Sequence, residues 1–249
     1  MTLFDVTKKE TLQKNAPLAQ RMRPQTLDEI LGQSHIIGPG KLLRRAIETD
    51  KLSSLIFWGS PGCGKTTIAS VIANVTNKFY ASLNAVTDGV QDLRKVTAAA
   101  EENLSLYGKQ TILFIDEIHR FNKGQQDALL PWVEKGLIVL IGATTQNPYF
   151  SLNPALLSRS MIFELKPLQK EDIACILERS CRDVKRGLGA YKLEVTPEAI
   201  AHLCNCSQGD ARIALNGLEL AVLSSRPDER GVRVIDLSVV EESIQRPMV

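Results

Sequence analysis

The sequence predicts an α/β fold, a five-stranded parallel sheet domain followed by a small all-helical domain, on three observations. Five short runs rich in β-branched and aromatic residues alternate with helical patterns between about residues 50 and 165. Most of these runs are continuously apolar, as expected of strands covered on both faces in a parallel sheet. After Lys166-Pro167 no strand pattern is clear and helical periods take over.

In chain order, residues 1–16 are polar and without period and are expected to form a flexible arm. Strands are expected at 55–58, 79–83, 111–115, 138–141 and 161–165, with helices at 40–49, 65–76, 88–106 and 124–135. Together they make a doubly wound α/β nucleotide-binding domain over 17–166. Helices at 170–186, 196–207, 210–225 and 238–245 make the helical domain over 167–249. Thr196-Pro197-Glu198 is a helix start, with a capping hydroxyl, a proline where no N–H is needed and an acid at the positive dipole end. Ser238-x-x-Glu241 reads as a capping box. The final Arg246-Pro247-Met248-Val249 carries no stop signal, so the chain is expected to be a fragment.

Composition narrows the classes. The 249 residues are 44% apolar and 23% charged, which excludes disordered and collagen-like chains. Thirty basic against 28 acidic residues leave +2, so any nucleic-acid affinity must come from a local patch or an assembly. The five cysteines have no zinc-finger spacing, which fits a reduced cytosol. Met1 to Glu10 has no apolar signal region and no window nears 18 apolar residues. The expectation is a cytoplasmic protein without membrane contact.

The chemistry begins at Gly59-Ser60-Pro61-Gly62-Cys63-Gly64-Lys65-Thr66, which matches G-x-x-x-x-G-K-[ST] between the first strand and a helix. Glycines let backbone N–H groups turn toward phosphates, and the helix N-terminus, running into Thr67, adds its dipole. Lys65 is expected on the β- and γ-phosphates of ATP and the Thr66 hydroxyl on Mg²⁺. Downstream, 111–115 delivers Asp116 and Glu117 to the carboxyl edge of the sheet. Asp116 is expected in the Mg²⁺ shell, and Glu117 as the residue that orients and polarises the attacking water. The next strand ends in Gly142-Ala143-Thr144-Thr145, where Thr144, with Thr145 as the alternative, is placed to meet the γ-phosphate or water. Asn84 is a candidate to hold Glu117 inactive, or a plain strand-end amide. Arg159 precedes the last strand, and Arg212 sits in the first turn of a helix, where a cation is disfavoured unless an anion meets it. A surface salt bridge is the other reading of each.

Together these blocks resemble the AAA+ ATPases. Pro17-Leu18-Ala19-Gln20-Arg21-Met22-Arg23-Pro24, Gly32-Gln33, the run from Asp116 to Asp127 through His119-Arg120-Phe121-Asn122-Lys123, Gly142 to Pro148, and Gly209-Asp210-Ala211-Arg212 resemble the replication-associated recombination protein A family (RarA, or MgsA), which includes the Werner-helicase-interacting proteins. The resemblance covers about 16–245, and departures are small: Ser60 and Cys63 in the loop, and Ile213 where a second arginine is common.

The resemblance implies more than the residues do. Members are DNA-stimulated, clamp-loader-related ATPases acting at stalled forks and single-strand/duplex junctions, typically as tetramers, with single-strand binding protein suggested as a partner. It makes the 167–249 domain a lid, Arg159 a finger offered to a neighbouring subunit's nucleotide, and Arg212 a sensor on its own. It assigns adenine recognition to Leu18, Arg21, Ile30 and Gly32, each of which is otherwise ordinary core. It directs His119, Arg120 and Lys123 toward DNA phosphates; a solvated helix start is the alternative. A bacterial member would be nucleoid-associated. The competing functions are a Holliday-junction branch-migration motor and a nucleotide-gated adaptor that recruits replication proteins.

Overall fold

A computed structural model describes residues 16–244, so nearly all of the expected arm and the last five residues lie outside the described part. The described chain divides into two compact units, one of residues 24–166 and one of 16–23 together with 167–244. The stretch 17–23, expected to open the α/β domain, therefore belongs with the helical unit. Among the described residues no helix is long and apolar enough to cross a membrane.

In the first unit, short helices α1 (Ser34–Ile37) and α2 (Leu42–Glu48) precede β1 (Ser54–Trp58) and α3 (Lys65–Val75). Then come β2 (Phe79–Asn84), α4 (Val90–Tyr107), β3 (Thr111–Asp116), α5 (Lys123–Asp127), α6 (Leu130–Glu134), β4 (Ile138–Thr144), α7 (Pro148–Ser151), α8 (Pro154–Leu157) and β5 (Ser160–Glu164). All strand pairs are parallel, in the order β2-β3-β4-β1-β5. Period-two alternation splits the strands between two cores. Leu55, Phe57, Ile112, Phe114, Val139 and Ile141 join α2 and α3 on one face; Ile56, Leu113, Ile115, Ile138 and Leu140 join Leu93, Leu129 and Leu156 on the other. Both faces are covered, which explains runs without polar alternation.

The helix expected over 124–135 is broken into α5 and α6. Pro131 lies in the first turn of α6 and has no N–H for the Asp127 carbonyl, so the hydrogen-bond ladder stops there. The register brings the strand ends together: Trp58 lies opposite Thr144, Ile115 opposite Gly142, and Asn84 opposite Asp116.

The helical unit contains α9 (Leu18–Arg21), α10 (Lys170–Arg182), α11 (Pro197–Ser207), α12 (Ala211–Ser224) and α13 (Leu237–Ser243). It also holds a two-stranded parallel sheet, β6 (Leu193–Val195) with β7 (Arg233–Ile235), which three-residue strands did not reveal as a period. Thr196 caps α11 as expected, its Oγ1 accepting from the Ala199 N–H at 3.3 Å. The expected box at Ser238 is corrected: Asp236 caps α13 through the Val239 N–H, and the Ser238 hydroxyl donates to that carboxylate.

Leu18 and Met22 lie in this unit's core with Leu177, Leu203 and Leu218. Arg21 donates from Nε to the Arg186 carbonyl at 2.9 Å and pairs with Glu219 at 3.1 Å, while Glu219 also accepts the Leu18 N–H at 2.7 Å. Both partners are mostly buried, with side-chain exposures of 18% and 16%. The side chains of Leu18 and Arg21, expected beside the adenine, here pack in the core and clamp α9. Arg21→Ala is expected to cost about 2 kcal/mol by stranding partly buried acceptors, a fall of roughly 4–8 °C in Tm at this size. ATP affinity should change less than threefold. A large affinity loss at unchanged Tm would support the adenine role.

Candidate nucleotide site

The phosphate loop is shaped by backbone that side chains forbid. Gly59 has φ +151, and a Cβ there would collide with the Leu165 carbonyl; Gly64, the residue before α3, has φ +103. Gly59 donates its N–H to the Thr144 carbonyl at 3.3 Å, tying the loop to the end of β4. At the start of α3 the N–H groups of Lys65, Thr66 and Thr67 have no acceptor within the helix, leaving a positive dipole end under the loop. Lys65 is buried, and its Nζ donates to the carbonyls of Gly59 at 2.8 Å and Ser60 at 2.9 Å. Beside it the Cys63 thiol is pushed up by burial, which outweighs the attraction of Lys65.

A residue without a motif holds this loop. Gln33 is fully buried and donates from Nε2 to the carbonyls of Cys63 at 3.2 Å and Lys166 at 2.7 Å; its Oε1 accepts from the Lys166 N–H at 3.2 Å. One amide thus joins the loop to the chain leaving β5. Gly32, at φ +75, turns the chain toward it, and Ile30 packs on the adjacent core.

Asp116 ends β3, and Glu117 follows in the left-handed region at φ +52, its N–H donating to Asp116 Oδ1 at 3.1 Å. A non-glycine residue held there stores strain of about 1–3 kcal/mol, which the surroundings must maintain. The surroundings are visible. Glu117 Oε2 accepts from Thr145 Oγ1 at 3.2 Å and faces His119 Nδ1 at 3.2 Å, while the same Nδ1 is 2.9 Å from Thr144 Oγ1.

Several expectations change here. Thr144 is fully buried, and its hydroxyl is engaged by His119 and by the Gln146 N–H at 3.0 Å. Thr145 is exposed and lies on the carboxylate, so of the two it is the one open to a ligand. The Oδ1 of Asn84, the candidate to restrain Glu117, accepts the Val86 N–H at 2.9 Å in the turn after β2. The His119 side chain is only 5% exposed and turned inward, which is no place for a DNA contact. Desolvation pushes its imidazole down, Arg120 adds to that, and Glu117 opposes it. Arg120 and Lys123 are exposed, as phosphate contacts would have to be.

Arg159 follows α8 and pairs with Glu134 at 2.7 Å, both about half exposed. In the helical unit Arg212 pairs with Asp210, the cap of α12, at 2.7 Å. The anion expected to meet Arg212 at the helix start is thus one of its own neighbours. Burial pushes the Asp210 carboxyl up, but bonds from the Arg212 side chain and backbone together hold it below its ordinary value.

Thr66, in the first turn of α3, and Asp116, at the end of β3, are hard oxygen donors, and among the described residues no group of three or more His, Cys, Asp or Glu is placed to hold a metal ion. Two oxygens suit Mg²⁺, which keeps water and shares substrate phosphates rather than needing a full protein cage.

The family described as "ATPase family associated with various cellular activities (AAA)" matches residues 55–168, and "AAA C-terminal domain" matches 189–249. Replication-associated recombination protein A of Bacillus subtilis is 46% identical over 230 residues, 92% of this chain and 53% of that protein. The Escherichia coli K12 protein of that name is 48% identical, over 91% of this chain and 50% of its own length. The chain belongs to the replication-associated recombination protein A family of AAA ATPases. Its eukaryotic side is represented by ATPase WRNIP1 of Dictyostelium discoideum, 42% identical over 86% of this chain and 24% of that protein. The chain spans about half the length of the bacterial relatives named here. Among solved structures, the Thermotoga maritima RuvB Holliday junction branch migration motor aligns with TM-score 0.70 at 27% identity, over 90% of this chain and 72% of that one. The five-stranded sheet with its phosphate loop is the AAA fold that the motifs led one to expect.

Gln33 is the residue of the family's site whose contribution the motifs did not announce. Gln33→Leu keeps the volume but strands two carbonyls and an N–H, and is expected to cost about 2–4 kcal/mol. A urea midpoint unchanged from wild type would show that the loop does not depend on that amide.

Proposed function

We propose that this chain binds Mg²⁺-ATP and hydrolyses it, as the ATPase portion of a DNA-stimulated, clamp-loader-like enzyme of replication-fork maintenance and recombination. The observation that carries the reading is the arrangement of strand ends. Lys65 and the glycine loop follow β1, Glu117 follows β3, and Thr145, just after the intervening β4, hydrogen-bonds the Glu117 carboxylate.

In this reading the α3 N-terminus and Lys65 bind the phosphates, Lys65 exchanging its two loop carbonyls for phosphate oxygens. Thr66 and Asp116 would hold Mg²⁺, which when bound offsets charge on the β- and γ-phosphates. Glu117 orients a water in line with the γ-phosphate and takes its proton as attack proceeds. Thr145 takes over the ligand-facing role first expected of Thr144. Arg159 would act on a neighbouring subunit's nucleotide within a homo-oligomer, a tetramer by family resemblance. Arg212 would act on its own subunit's nucleotide. The present partner of Arg159, Glu134, is half exposed, and such surface pairs are worth at most about 1 kcal/mol, so exchanging it for a phosphate costs little. Ile30 and Gly32 remain the candidates beside the adenine, and Arg120 and Lys123 those for DNA phosphates. Single-strand binding protein is the proposed protein partner. The cytoplasm, at the nucleoid in a bacterium, is the proposed compartment.

The likeness to the RuvB motor favours a second reading, duplex translocation, which a strand-displacement assay separates from the first.

Lys65→Ala should abolish ATP binding measured by calorimetry. Glu117→Gln should bind within threefold of wild type and turn over at least a hundredfold more slowly; normal turnover would remove Glu117 from its role. Turnover per protomer should rise with protein concentration in wild type and stay flat in Arg159→Ala. Kinetics flat in both would sink the finger in trans.

A further inference from the structure

We infer that His119 is a positioning residue for hydrolysis, its buried ring setting a polar nitrogen beside the Glu117 carboxylate and anchored on the buried hydroxyl of Thr144. This rests on the ATPase reading above and adds to it a residue without an assigned role.

Protonation follows from the contacts. An ionised carboxylate has no proton to give, so a ring nitrogen 3.2 Å from Glu117 Oε2 must carry one itself. In the neutral ring this selects the Nδ1–H tautomer, and burial, which lowers the affinity of the ring for a second proton, keeps it neutral. The hydrogen bond of Nδ1 runs to Thr144 Oγ1 at 2.9 Å, and Glu117 Oε2 lies beside it at 3.2 Å. Thr144 is in turn fixed by accepting the Gln146 N–H at 3.0 Å and by its own proton, 3.4 Å from the Gln146 carbonyl. The ring is thus anchored on β4, not on the exposed turn that carries it, and with 5% exposure it has little room for another rotamer.

The consequence falls on Glu117. Oε2 accepts from Thr145 Oγ1–H and lies in electrostatic contact with His119 Nδ1 at 3.2 Å. With Oε2 so held, Oε1 is the oxygen available to a water. A carboxylate on a strained left-handed residue has no helix or strand to fix it, so its orientation depends on these side-chain bonds. Removing the N–H would leave the carboxylate bound to substrate-side groups but poorly aimed. The loss should appear in the chemical step and not in nucleotide affinity.

The side chain of Asn presents an N–H where the imidazole Nδ1–H lies, whereas Leu fills the space with no donor. ATP affinity and single-turnover hydrolysis, with protein in excess, are to be measured for wild type, His119→Asn, His119→Leu and Glu117→Gln. All should bind Mg²⁺-ATP within threefold of one another. His119→Leu should hydrolyse at least tenfold more slowly, and His119→Asn should recover to within threefold of wild type. A His119→Leu rate near wild type, or an Asn variant as slow as Leu, would overturn the inference. Should His119→Leu fail to fold, His119→Ala takes its place in the same comparison. Glu117→Gln separates the two claims: normal turnover there removes the ATPase reading, whereas a dead Glu117→Gln beside an active His119→Leu removes His119 alone.

Discussion

The order β3-β4-β1 is the constraint on which the site depends. Adjacent strands lie about 4.8 Å apart, so one intervening strand separates the phosphate loop from the acid pair by roughly 10 Å. That gap is on the scale of a terminal phosphate with its ion and water, and between its two sides β4 ends at Thr144, with Thr145 next in the chain. The separation is held by the two cores, because each strand sends alternate residues into both and cannot slip by one position without inverting every contact.

In each unit, segments outside the main elements are held by polar side chains that are themselves largely buried. Gln33 joins the phosphate loop to the strand exit, and Arg21 with Glu219 fixes α9 in the helical unit. The physical reason is common to both. A loop has no ladder partners, and a buried carbonyl or N–H without one costs about 1–3 kcal/mol, so a long side chain supplies what the backbone does not. The Glu117 carboxylate, on strained backbone, is treated the same way by Thr145 and His119.

Arg159 shows the opposite regime. It is paired at the surface with Glu134, where solvent keeps the interaction weak, whereas the exposed Arg212 meets the mostly buried carboxylate of Asp210, the cap of its own helix. A group that must pass between partners is well served by an exposed pair, whereas one that must aim a carboxylate is served by a buried ring.

What the sequence determined by itself is the part carried by local rules. Buried parallel strands need apolar runs, a phosphate loop needs glycines with a lysine at a helix start, and Asp116 and Glu117 must follow a strand to reach its edge. Each is legible because its cause lies within a few residues. Family resemblance added the helical unit's role and gave Arg159 and Arg212 theirs, along with expected functions for Leu18, Arg21 and His119. Tertiary structure alone shows how these last three side chains are packed or clamped, that Thr145 is exposed where Thr144 is buried, and that Gln33 joins the loop to the strand exit. Arg21 meets Glu219, Gln33 meets Lys166, and His119 meets Thr144 across 198, 133 and 25 positions. A polar side chain carries no period or spacing that says which distant group it faces, and only folding brings the two together.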